Sequence, residues 1–235
     1  MVKAALALVL LVGVLVSGCA WTRSGTLRML SVDRTAPLVY VALGDSTVEG
    51  IGATSAAANY VGRLDERLRA VYPHARTTNL GVAGATSADV VAGQLEPAIA
   101  HAPHLVTLSI GPNDITGRVT VREYERHLET IFTRLQKETT AVVVVNLLPD
   151  LAVTPRFRNT PAREAVGRLS IEFNDALARR AREHGVEVVD LYGPSRAEVM
   201  ARPELVASDG YHPSDLGYAR WAELLWAGIE RRIPR

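Results

Sequence analysis

The chain has little of several features that would mark a specialised class of protein. Its 235 residues contain one cysteine, Cys19, which excludes an intrachain disulfide and a multi-cysteine metal site. Lysine occurs only at Lys3 and Lys137, and the 26 Lys and Arg residues nearly balance the 25 Asp and Glu residues, leaving a formal net charge of +1. Because no strong positive field or long basic run is present, we expect no nucleic-acid partner.

What remains is ordinary globular composition. Hydrophobic residues make up 48% of the chain and charged residues 22%, which is typical of a folded domain. The length suits one domain with a sizeable core. No internal repeat or low-complexity tract interrupts the sequence.

The amino terminus has the pattern of an export signal. Lys3 precedes an apolar run over residues 4–16, and small residues follow up to Cys19, as in a secretory signal. The run is shorter than the roughly 20 residues of a membrane-spanning helix. The stretch Val-Ser-Gly-Cys (residues 16–19) resembles a bacterial lipobox, which implies lipidation of Cys19 and export to the cell membrane or envelope. An ordinary signal peptide or an uncleaved anchor remains an alternative. We therefore predict a signal at 1–19, a tether at 20–36 and a folded domain at 37–235.

In the folded part, short apolar runs alternate with amphipathic stretches. Strands are predicted at residues 38–43, 77–80, 105–110, 141–148 and 186–189. Helices are predicted at residues 59–71, 87–100, 120–137, 160–184 and 216–229, from apolar positions three and four apart. Residues 149–161 are predicted to be a loop. Alternation of this kind favours a three-layer α/β fold with a parallel sheet covered on both faces.

Three polar blocks follow predicted strands, where ligands of parallel sheets bind. The first, GDSTVEG (residues 44–50), offers Ser46 as a nucleophile if a base removes its proton. The second, NLGVAG (residues 79–84), offers backbone N–H groups for an oxyanion. The third, GPND (residues 111–114), offers the Asn113 amide for the same purpose. Taken singly, each block is equally compatible with a turn or a helix cap.

The fourth block, DGYHP (residues 209–213), precedes the last predicted helix. His212 is a natural general base near neutral pH. Asp209, three residues earlier, could reach its Nδ1 across the glycine turn and stabilise the imidazolium.

The ordered set of blocks resembles the SGNH superfamily, also called GDSL lipases or esterases. The resemblance covers residue 38 to the carboxyl terminus. It implies a flavodoxin-like five-stranded parallel sheet of order 2-1-3-4-5. It also implies that Ser46, Asp209 and His212 are catalytic, and that Ser46, Gly84 and Asn113 form the oxyanion hole, with Gly81 as a competitor for Gly84.

The resemblance implies a serine hydrolase that cleaves short-chain or lipid esters through an acyl-enzyme. No metal or cofactor is required. The expected partners are a small ester or lipid substrate and a membrane, to which lipidated Cys19 attaches the protein. We expect a monomer. Two alternatives remain open: a carbohydrate or envelope O-deacetylase with the same machinery, and a non-catalytic envelope lipoprotein.

Other patterns are weaker. The α/β-hydrolase elbow G-x-S-x-G lacks its second glycine here. His101 and His104 have no third ligand nearby and are predicted to lie on the surface, and His74, His127 and His184 are predicted to be exposed. Asp45 and Asp114 are expected to be structural.

Overall fold

The computed structural model describes residues 27–235. Five parallel strands form one sheet of order β2-β1-β3-β4-β5, so the predicted fold and strand order are confirmed. The strands are β1 (Leu38–Gly44), β2 (Ala75–Asn79), β3 (Leu105–Ser109), β4 (Val142–Asn146) and β5 (Glu187–Val189).

Alternate side chains of the central strands enter two separate cores. Val41 and Leu43 of β1 belong to one buried cluster, and Tyr40 and Ala42 belong to the other. Successive side chains of a strand point to opposite faces, so a strand that is apolar throughout needs cover on both sides. Helices provide that cover: α3 (Ser87–Asp89), α4 (Leu95–Ala100), α6 (Val121–Glu138) and α8 (Arg163–Glu183) on one face, and α2 (Tyr60–Val71) and α10 (Asp215–Glu230) on the other.

Local sequence sets the helix ends. Thr120 and Glu123 form a capping box at the start of α6, which satisfies two backbone donors there. Helix α8 begins at Arg163, three residues later than predicted, because Pro161 disfavours a helical conformation at Thr160. Its end is followed by Gly185, which has φ +62°, as expected of a residue that closes a helix.

Other features also differ from the prediction. The helix predicted at 87–100 contains a π-helical turn at Val90–Gln94, and the Gln94 amide bonds both the N–H and the C=O of Gly44 at 2.8 Å. Helix α9 (Tyr192–Glu198) was not predicted, because none of its residues is buried and no apolar periodicity marks it. Short helices α1 (Ser46–Glu49), α5 (Pro112–Thr116) and α7 (Pro155–Arg158) follow β1, β3 and β4.

Residues 27–36, the described part of the predicted tether, contact the domain near the amino-terminal ends of the strands. The Arg28 guanidinium donates to the carbonyls of Gln136, Thr139 and Ala141 at 2.6–3.2 Å, just before β4. Leu30 is buried, and its N–H donates to the Arg232 carbonyl at 2.8 Å. Arg28 and Leu30 are therefore packed against the domain.

None of the helices described in residues 27–235 is long and apolar enough to cross a membrane. Cys19 and the predicted signal lie outside the described residues.

Candidate active site

Ser46 lies on a tight turn between β1 and α1. Gly44 has φ +143°, and a Cβ there would come within 1.9 Å of the Ser109 carbonyl oxygen, so only glycine fits. Asp45 caps α1 by accepting a hydrogen bond from the Thr47 N–H at 2.9 Å. Ser46 is thereby fixed as the first residue of the helix, at the carboxyl end of β1.

Ser46, His212 and Asp209 form a hydrogen-bonded triad. The distance from Ser46 Oγ to His212 Nε2 is 2.9 Å, and that from His212 Nδ1 to Asp209 Oδ2 is 2.5 Å. The carboxylate can only accept, so Nδ1 carries a proton and the neutral ring presents a free lone pair at Nε2. The Ser46 hydroxyl therefore donates to His212, which is the arrangement a general base requires.

Asp209 is held by more than the imidazole. Its Oδ1 accepts the Tyr211 and His212 backbone N–H groups at 2.8 and 3.0 Å. Partial burial opposes ionisation of Asp209, but the hydrogen bonds from His212 and the backbone outweigh it and lower the pKa of the carboxyl. The carboxylate therefore remains charged near neutral pH.

The loop that carries His212 is supported from two sides. The Ala207 N–H donates to the His212 carbonyl at 2.8 Å, and the Arg156 N–H of α7 donates to the Gly210 carbonyl at 3.0 Å. The Tyr211 ring contacts the His212 ring edge-on, with centroids 5.0 Å apart, and the Arg156 guanidinium lies 4.7 Å from the Tyr211 centroid. The sequence predicted only a loop at residues 149–161, so neither helix α7 nor this packing was predicted.

The structure distinguishes the two glycines of the second block. The Gly81 N–H donates to Asn79 Oδ1 at 2.9 Å, and a Cβ at Gly81 would lie 2.5 Å from the Glu49 nitrogen. Gly84 has φ +80° and open space around its Cβ position. Among the described hydrogen bonds none uses the Gly84 N–H, so this donor is available to a ligand.

Asn113 lies beside the Gly84 segment. Gly111, with φ +137°, turns the chain from β3 into α5 and places Asn113 in the first turn of that helix. The Asn113 Nδ2 donates to the Ala85 carbonyl at 2.9 Å. Its amide has two N–H donors, so one remains after this contact.

Two buried carboxylates flank these residues, as expected for structural side chains. Burial raises the pKa of Asp45 to about 6, despite its hydrogen bonds from Thr47. Burial also raises the pKa of Asp114, against the hydrogen bonds that it accepts from Ser87. Ser87 in turn contacts His127, which is half-buried, so the prediction of an exposed His127 is wrong. His184 is half-buried as well, with Glu129 2.8 Å from its Nε2.

An apolar recess opens beside the triad. Ser46, Tyr211 and His212 line it. Most of its remaining wall is apolar and comes from β4, α9, α10 and the adjoining loops: Leu148, Leu151, Leu191, Val199, Leu205, Trp221 and Leu224. This recess could not be predicted from the sequence, because its wall comes from segments far apart in the chain.

Residues 27–235 contain no cluster of three or more His, Cys, Asp or Glu side chains that could hold a metal ion. His101 and His104 are both exposed, and the Nδ1 of His104 accepts the Val39 N–H at 3.0 Å.

Comparison with solved structures places the fold among known esterases. A tryptophan-to-isoleucine variant of Axe2, an acetyl xylan esterase from Geobacillus stearothermophilus, matches with TM-score 0.68 and 23% identity over 86% of this chain and 100% of Axe2. LAE5, an α/β hydrolase from the metagenome of Lake Arreo, Spain, matches with TM-score 0.67 and 24% identity over 84% and 98% of the two chains. TesA matches with TM-score 0.68 and 21% identity over 82% and 98%.

No curated protein matches the chain significantly. Residues 42–220 match the GDSL-like Lipase/Acylhydrolase family, and this range includes all four sequence blocks. The chain therefore belongs to the GDSL-like lipase/acylhydrolase family of SGNH esterases and is a carboxylic ester hydrolase.

Proposed function

We propose that the chain hydrolyses carboxylic esters through an acyl-enzyme on Ser46. The observation that carries the proposal is the hydrogen bond of 2.9 Å from Ser46 Oγ to His212 Nε2, with Asp209 on the other ring nitrogen. A serine hydroxyl becomes a competent nucleophile when such a base is within reach.

In the first half-reaction, Ser46 Oγ attacks the ester carbonyl while its proton passes to His212 Nε2. The carbonyl oxygen becomes an oxyanion, and we assign its stabilisation to the Ser46 and Gly84 N–H groups and the Asn113 amide. His212 then protonates the departing alkoxide, leaving the acyl group on Ser46. In the second half-reaction, His212 Nε2 removes a proton from water as the water oxygen attacks the acyl carbonyl, and it returns this proton to Ser46 Oγ as the acid departs. Asp209 stabilises the imidazolium in both steps.

This mechanism predicts that Ser46→Ala lowers kcat for p-nitrophenyl acetate by roughly 10⁴-fold or more, as nucleophile removal does in other serine hydrolases. Ser31→Ala, at an exposed position, serves as the matched control. Fluorophosphonate labelling should mark the parent and Ser31→Ala proteins at Ser46 and leave Ser46→Ala unmarked. Undiminished turnover in Ser46→Ala would remove the proposal.

For the substrate, we propose esters with an apolar acyl group. The apolar recess lined by Ser46 and His212 supports this choice, because each methylene that leaves water for such a site contributes about 0.8 kcal/mol. In a p-nitrophenyl ester series, kcat/KM should rise about fourfold per added methylene until the recess is full. Leu224→Trp should shorten the optimal acyl chain, whereas Leu216→Trp, on the same helix but exposed, should leave it unchanged. A flat profile in the parent protein would contradict the apolar-acyl proposal.

The second candidate is O-deacetylation of a carbohydrate or envelope polymer. It is supported by the similarity to Axe2, which is described as an acetyl xylan esterase. The same triad would carry out this reaction, so the two candidates differ only in substrate. A panel containing acetylated sugars, lysophospholipids and aryl esters separates them: a strong preference for acetylated sugars favours deacetylation. The alternative of a non-catalytic lipoprotein does not agree with the family assignment.

We further propose that Cys19 is lipidated and holds the exported protein on a membrane. The support is sequence alone: the charged start, the short apolar run and the Val-Ser-Gly-Cys stretch. Cys19→Ser should abolish incorporation of labelled palmitate and shift the protein from the membrane to the soluble fraction. Unchanged fractionation would contradict the proposal.

A further inference from the structure

A second Ser–His–Asp set lies beside the proposed oxyanion donors, and the mechanism above does not use it. Asp114 and Ser87 are both fully buried. Asp114 follows Asn113 directly, and Ser87 lies three residues after Gly84. His127 reaches Ser87 from α6. We call these three residues the Ser87 chain.

The hydrogen bonds of the Ser87 chain run in one direction. The Ser87 N–H donates to the two carboxylate oxygens of Asp114 at 3.0 and 3.1 Å, and the Ser87 hydroxyl also donates to this carboxylate. The hydroxyl proton is then used, so at the 2.8 Å contact between Ser87 Oγ and His127 Nδ1 the nitrogen must be the donor. His127 therefore carries its proton on Nδ1. Hydrogen bonds to a carboxylate are the stronger kind, so the connection is rigid.

The connection joins the two segments that carry oxyanion donors. Asp114 and Ser87 link α5 to the start of α3, and the contact from Asn113 Nδ2 to the Ala85 carbonyl, at 2.9 Å, runs beside them. Helix α6 supplies the outer support, because the Tyr124 hydroxyl donates to the Ile110 carbonyl at 3.0 Å. Among the described hydrogen bonds none holds the Gly84 N–H, so its position depends on what holds the residues on either side of it.

We infer that the Ser87 chain consists of positioning residues that fix the Gly84 N–H and the Asn113 amide at the distance that the oxyanion requires. This inference rests on the proposed acyl-enzyme function. The Ser87 chain contacts neither the substrate nor Ser46, and it acts only through the Gly84 N–H and the Asn113 amide. Its effect should appear in the transition state, where a donor displaced by about 1 Å costs up to roughly 100-fold in rate.

The first experiment measures kcat and KM for p-nitrophenyl acetate in Ser87→Ala. We expect kcat to fall roughly 10- to 100-fold, with KM and the pH dependence of kcat/KM unchanged, because the triad is intact. His127→Asn should retain most activity, since its amide nitrogen lies one bond from Cγ, as Nδ1 does, and can donate to Ser87 Oγ in its place, and His127→Phe should not. His184→Phe is the control, because it removes a half-buried histidine that packs on α6 against Phe132, at the end of α8 and outside the site. It should leave kcat unchanged.

The second experiment repeats Ser87→Ala and His127→Phe in an Asn113→Ala background. If the Ser87 chain acts through the oxyanion donors, each substitution should cost clearly less there than in the parent protein, since coupled residues are not additive. Equal costs in both backgrounds overturn the inference, as does an undiminished kcat in both single variants. If Ser87→Ala does not fold, the two His127 variants give the same decision. Failure of the proposed function would give a different result, because Ser46→Ala would then remain active.

Discussion

The protein contains two connected sets of one serine, one histidine and one aspartate, and they differ in which residue lies in the middle. In the triad the imidazole of His212 bridges the hydroxyl and the carboxylate. In the Ser87 chain the hydroxyl bridges the carboxylate and the imidazole. A central imidazole leaves the serine oxygen as the outer, reactive group. A central serine has its proton committed to the carboxylate and its oxygen occupied by a donor, so it can only connect.

The triad and the Ser87 chain also differ in how deeply their residues are buried. The Asp209 side chain is 43% exposed and that of His212 is 15% exposed, so both are close to solvent and to the recess. Ser87 and Asp114 are fully enclosed. Residue type alone therefore does not assign a Ser–His–Asp set to catalysis; connectivity and access do.

The largest expected effect separates the two histidines. His212→Ala should lower kcat for p-nitrophenyl acetate by roughly 10⁴-fold or more, because His212 is the only side chain in residues 27–235 that hydrogen-bonds to Ser46 Oγ. His127→Phe should cost no more than about 100-fold. Steady-state kinetics on the two purified variants, with circular dichroism to verify folding, make the comparison. Losses of equal size would break the distinction between a central imidazole and a central hydroxyl.

The next effect concerns the carboxylate of the triad. In Asp209→Asn the amide oxygen can still accept the Tyr211 and His212 backbone N–H groups, so the loop should keep its shape. The amide nitrogen, however, favours the wrong tautomer of His212. We expect kcat to fall by roughly 10²- to 10⁴-fold, with little change in Tm. Asp33→Asn, at an exposed turn, is the control. A large fall in Tm in Asp209→Asn, absent from Asp33→Asn, would show instead that Asp209 acts mainly by holding the loop.

The smallest effect concerns a buried carboxylate that belongs to neither set. Burial raises the pKa of Asp45 from 3.8 to about 6. A raised folded-state pKa adds stability below the unfolded pKa of about 4, and this stability is lost as the pH rises through about 6. Asp45→Asn, which can still accept from Thr47, should therefore raise the free energy of unfolding by about 3 kcal/mol at pH 7.5. Urea unfolding at pH 7.5 and pH 4 tests this, and a gain that is independent of pH would contradict it.

Much of the site could be predicted because three of its blocks directly follow strands of a parallel sheet. Ser46, Gly84 and Asn113 had to gather at one edge once the strands were recognised. The strand order came from the family resemblance. The family resemblance favoured Gly84 over Gly81, but the residue types alone do not separate them, because the difference depends on which N–H already donates to Asn79.

The Ser87 chain was missed for a different reason. Its members lie at positions 87, 114 and 127 of the sequence, and no local pattern connects them. One signal was present: His127 is three residues after Tyr124 and four before Ile131, so it lies beside the buried stripe of α6. A polar residue at such a position needs a partner, and the partner was supplied by tertiary packing alone.

The docking of Arg28 and Leu30 has a consequence for geometry at a bilayer. They lie at the opposite end of the strands from Ser46, and seven residues separate Cys19 from Leu27. A chain of that length reaches at most about 25 Å. With Cys19 in the lipid as proposed, the recess beside Ser46 would face away from the membrane that holds the protein. Such an enzyme would sample esters in the surrounding fluid or on a facing layer, rather than those of its own leaflet.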